Sequence, residues 1–188
     1  MQLFSVNTAR IERFVAADGK TLASAIRKRA RAGTVAVGPL GLEGDEQANR
    51  KVHGGPTKAA YAYPQAHYAF WSTVRGQAQV AGDLQPGDLG ENLTLDGLLE
   101  SQVCIGDVLR FPHCELVVSE PRYPCATFNA HMGCSQASKL MAQSGYCGFY
   151  LAVKHEGTIA TGEAFELVPG PREIGIVELF KSRMKKQR

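Results

Sequence analysis

The stretch "VCIGDVLRFPHCELVVSEP", residues 103–121, decides how the fold is read. Two runs of β-forming residues, Val103 to Phe111 and Glu115 to Ser119, flank Pro112. Proline has no N–H to give to a ladder and so ends a strand. Two such runs this close in sequence pair antiparallel most readily.

The same grammar runs outward in both directions. In "LFSVNTARIERFVAADGKTLASAI" (3–26), β-formers flank a turn at Asp18-Gly19-Lys20, which predicts a strand, a turn and a second extended run. In "GTVAVGPLGLEGDEQ" (33–47), Val35 and Val37 alternate before glycines at 38, 41 and 44 break the pattern. Tyr68, Trp71 and Val74 stand at helical spacing just after Pro64, so residues 65–74 read as a short amphipathic helix. Downstream come a helix around 135–143 ended by Gly145, a strand from Gly148 to Lys154, a turn at His155-Glu156-Gly157 and a last strand to Val168. Ile174, Val177, Phe180 and Met184 mark one face of a terminal helix. Many short strands without strand–helix–strand alternation predict a mainly β architecture, an antiparallel β-barrel with a few peripheral helices. The expected division is a barrel domain over 1–170, then a C-terminal helix and basic tail over 171–188.

Composition narrows the function. At 188 residues, 44% hydrophobic and 21% charged, the chain fits one domain with a buried core. Its net charge of +3 is too small to predict stable nucleic-acid binding. Five Lys/Arg of that balance sit in the tail "KSRMKKQR" (181–188), read as the solvated end of the last helix. No window reaches the roughly 18 apolar residues of a membrane span, and Arg10, Glu12 and Arg13 stand where a signal peptide is apolar, so no membrane and a cytoplasmic location are expected. The cysteines (104, 114, 125, 134 and 147) are odd in number and form no Cys-x-x-Cys pair, which argues against a disulfide framework or a zinc ribbon.

Most polar residues gather in three turn-rich segments, 44–64, 86–92 and 119–129. The first, "GDEQANRKVHGGPTKAAYAYP", sets Arg50, Lys51, His53 and Lys58 around Gly54-Gly55, cations and backbone N–H groups suited to an anion. It lacks the spacing of a Walker loop, and by itself it reads as a solvated turn. The second offers Glu91 and Asn92, able to read donors and acceptors on a heterocycle. In the third, "SEPRYPCATFNA", Cys125 follows Pro124 with Arg122 three residues before it. A cation beside a partly exposed thiol favours the thiolate, which is both a nucleophile and a soft-metal ligand. A single cysteine is more often a buried inert thiol, the reading that fits Cys104 and Cys147. A Cys125–His53 nucleophile–base pair of the hydrolase type is a further reading, if the two side chains meet.

Together "GLEGDEQANRKVHGGPTKAAYAYPQAHYAFW" (41–71), "GDLGENLTLDGLLESQVCIGDVLRF" (87–111) and "SEPRYPCATFNA" (119–130) resemble the MOSC domain, in the stand-alone bacterial branch similar to hydroxylaminopurine-resistance proteins. The resemblance spans about residues 20–168, and "SAIRK" (24–28) adds Lys28. It implies a β-barrel holding molybdenum cofactor (molybdopterin), with Cys125 as metal ligand or sulfur carrier. Members of that branch are linked to reduction of N-hydroxylated compounds, including purine analogues, with electrons from a partner redox protein. Carried over by position, Cys125, His53 and Lys28 are the catalytic candidates. Arg50, Lys58 and Arg122, with the Gly54-Gly55 turn, would hold the anionic pterin, and Asn92 and Glu91 would line the rim. A carrier or sensor that uses a Cys125 persulfide without turnover is the alternative. Relatives of that branch extend further as a helical hairpin, so a partner contact placed there is expected to be altered in this chain.

Overall fold

A computed structural model describes residues 1–16, 19–49 and 53–186. Thirteen strands are found among them: β1 (Gln2–Thr8), β2 (Glu12–Val15), β3 (Thr21–Ser24), β4 (Arg29–Ala30), β5 (Thr34–Gly38), β6 (Gly41–Leu42), β7 (Ala60–Pro64), β8 (Leu93–Asp96), β9 (Val108–Arg110), β10 (Glu115–Pro121), β11 (Phe149–His155), β12 (Gly157–Ala160) and β13 (Glu166–Val168). The helices among them are α1 (Tyr68–Gln77), α2 (Ala126–Met132), α3 (Ala137–Ser144) and α4 (Ile176–Lys186).

Eight strands form one sheet in the order β13-β9-β10-β11-β7-β8-β1-β4. The expected antiparallel pairing across Pro112 is there: Leu116 of β10 faces Leu109 of β9, and both are fully buried. β7 and β8 instead run parallel, which requires a crossover, and α1 lies in that connection. Smaller sheets join β12, β5 and β6, where Val35 and Val37 turn inward, and pair β2 with β3. Asp18 of the turn expected between these two strands lies outside the described residues.

The large sheet does not close into the expected barrel. β13 and β4 stand at its two ends and do not pair with each other. Among the described residues a single bridge, Gln2 to Ala164, backbone bonds such as Leu3 N–H to Glu163 O (2.8 Å) and the bond from Val6 N–H to Thr161 Oγ1 (3.0 Å) link β1 to the segment before β13. That segment turns at Gly162, whose φ is 91°, and then lies antiparallel to the start of β1 for a few residues, with Gly162 N–H to Leu3 O at 2.8 Å and Phe165 N–H to Met1 O at 3.2 Å. The same turn divides the last expected strand into β12 and β13, which belong to different sheets. Residues 103–107 are likewise a turn, not the start of a strand: Asp107 Oδ2 accepts the Cys104 N–H at 2.9 Å, and Gly106 has a φ of 87°.

The helix readings hold with shifted faces. Trp71 and Val74 of α1 are buried, and Gly145 ends α3 in the left-handed conformation at φ 78°. On α4 the buried residues are Ile176 and Phe180, while Ile174 precedes the helix and is exposed. Trp71 anchors the core: its indole N–H donates to the Tyr63 hydroxyl at 2.5 Å, and its ring meets Phe128 edge-on at 5.4 Å between centroids. Trp71→Ala is expected to lower stability by about 3–5 kcal/mol in urea unfolding, because the site empties a large volume and the Tyr63 hydroxyl loses the donor it accepts from.

Candidate functional site

A cavity of about 410 Å³ opens where the loop after β6, the segment around Lys28 and the β10–α2 connection meet. It is lined by Lys28, Asp45, His53, Lys58, Tyr61, Asn92, Arg122, Cys125 and Tyr150, among others. The two polar segments separated by some seventy residues in the chain therefore converge, because β7 and β10 both flank β11 in the sheet.

Local chemistry puts Cys125 where it is. β10 ends at Pro121, and Pro124 disfavours helical geometry in the residue before it, so the chain stays extended through Cys125 (φ −143°, ψ 165°). Helix α2 begins only afterwards, which sequence reading did not anticipate. Half-burial opposes ionisation of the Cys125 thiol. A hydrogen bond from His53, the charges of Arg122 and His53 and the Phe128 N–H outweigh that, and its pKa falls to about 6.

Arg122 lies beneath the thiol, 4% exposed. Its Nη2 approaches Cys125 Sγ at 4.0 Å and its Nη1 points to Met141 Sδ at 3.6 Å, while the guanidinium sits over the rings of Phe128 (4.9 Å) and Tyr61 (5.4 Å). Among the described residues no carboxylate forms an ion pair with it. Burial works against its charge, but Tyr61, Cys125 and Tyr150 favour it and keep the guanidinium protonated. A buried cation with no carboxylate needs an anion from elsewhere, and the Cys125 sulfur is the nearest group able to become one.

His53 Nδ1 lies 3.0 Å from the Tyr150 hydroxyl. Lys58 reaches Glu120 at 3.5 Å and stands over the Tyr150 ring at 5.6 Å. Lys28, 6% exposed, is held by Asp45 at 2.5 Å, and Asp45 also accepts from the Asn92 amide at 2.9 Å and the Ala9 N–H at 2.9 Å. Asn92 in turn accepts the Tyr61 N–H at 3.0 Å. Lys28 and Asn92 thus reach the cavity as members of a buried network that ties three segments together.

Other residues singled out in the sequence stand apart from this cavity. Glu91, fully buried, faces away from it and accepts from the Tyr68 and Thr94 hydroxyls and from the Gly87 and Leu89 N–H groups. It staples its own turn and does not line the rim, and burial raises its pKa. The Gly55 N–H, expected to be open to an anion, donates to Gln47 at 3.0 Å. Gly55 and Gly54 serve the turn before a single 3-10 turn, Pro56–Lys58, and do not line the cavity. Arg50 lies outside the described residues. Of the other thiols, Cys147 is fully buried and pushed up by that burial, in accord with the inert reading, and burial pushes Cys114 up to about 12. Cys104 is half-buried. Sequence reading missed Asp45 and Tyr150 as site residues. Asp45 is one charge among several in its loop, and Tyr150 is a strand aromatic that nothing in the local sequence distinguishes from core.

A sequence profile of the MOSC domain matches residues 49–166, 118 of the 188 residues. The chain belongs to the MOSC domain family. It is 38% identical over 173 residues to protein YiiM of Escherichia coli, spanning 92% of this chain and 75% of that one. The crystal structure of YiiM from Geobacillus stearothermophilus superposes with a TM-score of 0.78 at 29% identity, covering 99% of this chain and 85% of that one. A protein of Gibberella moniliformis named "Reductase" is 33% identical over 171 residues, which are 90% of this MOSC chain but only 29% of the fungal protein. Among the described residues no helix is long and apolar enough to cross a membrane, and no cluster of three or more His, Cys, Asp or Glu could hold a bare metal ion.

Proposed function

We propose that this MOSC protein binds molybdenum cofactor in the 410 Å³ cavity, with Cys125 as a ligand to the metal, and reduces N-hydroxylated compounds such as N-hydroxylated purine bases. The observation that carries this reading is the Cys125 thiol, lowered to about 6, above a buried Arg122 that lacks a carboxylate. The donor set fits the group: one soft thiolate would supply the protein's metal bond, and the cations at the cavity wall, Lys28, Lys58 and Arg122, suit an anionic pterin. Bound there, the cofactor would supply the two electrons that cleavage of an N–OH bond consumes.

The chain's own residues would do the rest. Arg122 holds the charge of the sulfur ligand without competing for it, because a guanidinium has donors only. Lys58, at the cavity wall beside Tyr150, is placed to attract the anionic part of the cofactor. His53 stands next to Cys125 and can hold a proton for the hydroxyl oxygen that leaves as water. Lys28 keeps Asp45 and Asn92 in place and shapes the opposite wall. Electrons would come from a partner redox protein. The name of the fungal relative agrees with a reductive role, and the small, closed set of cavity polar groups favours a small-molecule substrate.

The test is to purify the protein from cells that make the cofactor and to measure molybdenum and pterin per chain, with Cys125→Ala alongside. Near-stoichiometric metal in the wild type and at least a tenfold loss in the variant are expected. Absence of metal from the wild type overturns the reading. A loaded protein that leaves N-hydroxylated purines unreduced by a chemical electron donor would instead mark a carrier or sensor.

A further inference from the structure

Tyr150 enters the cavity from the start of β11, and its hydroxyl has two neighbours of opposite character. The Arg122 guanidinium acts on it as a neighbouring cation, and His53 Nδ1 lies 3.0 Å away. A guanidinium can only donate and so favours the phenol oxygen as acceptor, which leaves the one hydroxyl proton for His53. Burial, only partly countered by Arg122, pushes the Tyr150 hydroxyl up to about 12, so it keeps that proton at neutral pH. Its ring is held in place: it packs at 5.5 Å from the Tyr61 ring and lies beneath Lys58.

A ring nitrogen has one in-plane direction for a hydrogen bond. With Nδ1 committed to Tyr150, Nε2 is the nitrogen left to meet the Cys125 sulfur. We propose that Tyr150 is a positioning residue: fixed by Arg122, its hydroxyl donates to His53 Nδ1 and holds the imidazole as the Nε2–H tautomer, with that proton turned to the Cys125 sulfur. The arrangement is a directed chain from the Arg122 guanidinium through the Tyr150 hydroxyl and the His53 ring to the thiol. Its consequence is that a neutral His53 already presents a proton at the place where the proposed reduction needs one. The inference takes the Cys125 cavity as the working site, and it applies to the protein before any cofactor is bound.

The metal-free protein, labelled with ¹⁵N-histidine, tests it by long-range proton–nitrogen NMR in mildly alkaline buffer, above the ordinary imidazole range. His53 is assigned by the signal lost in His53→Gln. Its Nδ1 is expected at the unprotonated, pyridine-type position and its Nε2 at the protonated, pyrrole-type position. In Tyr150→Phe the two resonances should move toward each other, as the tautomers come to exchange freely. A wild-type His53 with its proton on Nδ1 overturns the proposal, and so does a Tyr150→Phe spectrum with the wild-type pattern. The wild-type measurement stands even if the variant fails to fold. Because no metal is present, failure here is distinguishable from failure to bind molybdenum.

Discussion

Alkylation of Cys125 by iodoacetamide in the metal-free protein is expected to rise with pH through a midpoint near 6, where an ordinary thiol has its midpoint near 8.5. The midpoint is the quantity to read. A thiol of lowered pKa is also a weaker nucleophile, so at neutral pH the two effects largely cancel in the absolute rate. At pH 6 the wild type should run at about half its plateau rate, whereas an unperturbed thiol would be below about 1% of its own. The sign follows from the neighbours. Burial favours the neutral thiol, and the groups that overcome it are His53 and Arg122. His53→Ala and Arg122→Met should therefore each move the midpoint upward by about one unit or more. Peptide mapping of the modified cysteine separates Cys125 from Cys114 and Cys147, whose raised values keep them unreactive over the same range. A wild-type midpoint above 8, or one that neither variant moves, would show that the thiol is not poised by these two residues.

Gly148→Ala is expected to destabilise the protein by roughly 2–6 kcal/mol, read as a lower urea midpoint, and to disturb the cavity as well. Two costs combine. Gly148 has a φ of 62°, where side chains are strained, and an added Cβ would lie 2.4 Å from the Ala62 carbonyl oxygen and under 3 Å from the Tyr61 and Tyr63 rings. The clash cannot relax cheaply, because Ala62 is in β7, paired with β11 just beyond Gly148, and the Gly148 N–H is bound to Glu100. Gly162→Ala separates the terms. That glycine has a φ of 91° with no atom within 4 Å of a new Cβ, so only the backbone strain of about 1–2 kcal/mol should appear. Equal losses at the two positions would mean that packing against Tyr61 and Tyr63 contributes nothing. Since Tyr61 lines the cavity and carries the Arg122 guanidinium on its face, the Gly148 variant should also shift the Cys125 midpoint.

Much of this protein is local and so was legible in the residues. Pro112 between two β runs set the β9–β10 pair, alternating Val35 and Val37 set an inward strand face, and Gly145 set the end of a helix. The three motif segments, in order, named the family and pointed to Cys125, His53, Lys58, Arg122 and Asn92, and the upstream "SAIRK" stretch added Lys28; all of these line one cavity. Closure of the sheet was not legible, because it depends on how far the chain after Gly162 stays paired with β1, and hydrophobic alternation is the same for a single bridge as for a full ladder. Nor was the difference between Asn92, which reaches the cavity, and its neighbour Glu91, which faces away, since adjacent strand-flanking residues point to opposite sides. The poised thiol is a tertiary property throughout. Cys125 gains its low pKa from a histidine some seventy residues earlier and from an arginine buried without a carboxylate, and Tyr150 acquires a role only because β11 lies between the strands that carry the other two segments. Sequence determined which groups are present and where strands begin and end. Distance and burial, which set how strongly charges and protons interact, exist only once the sheet brings those groups together.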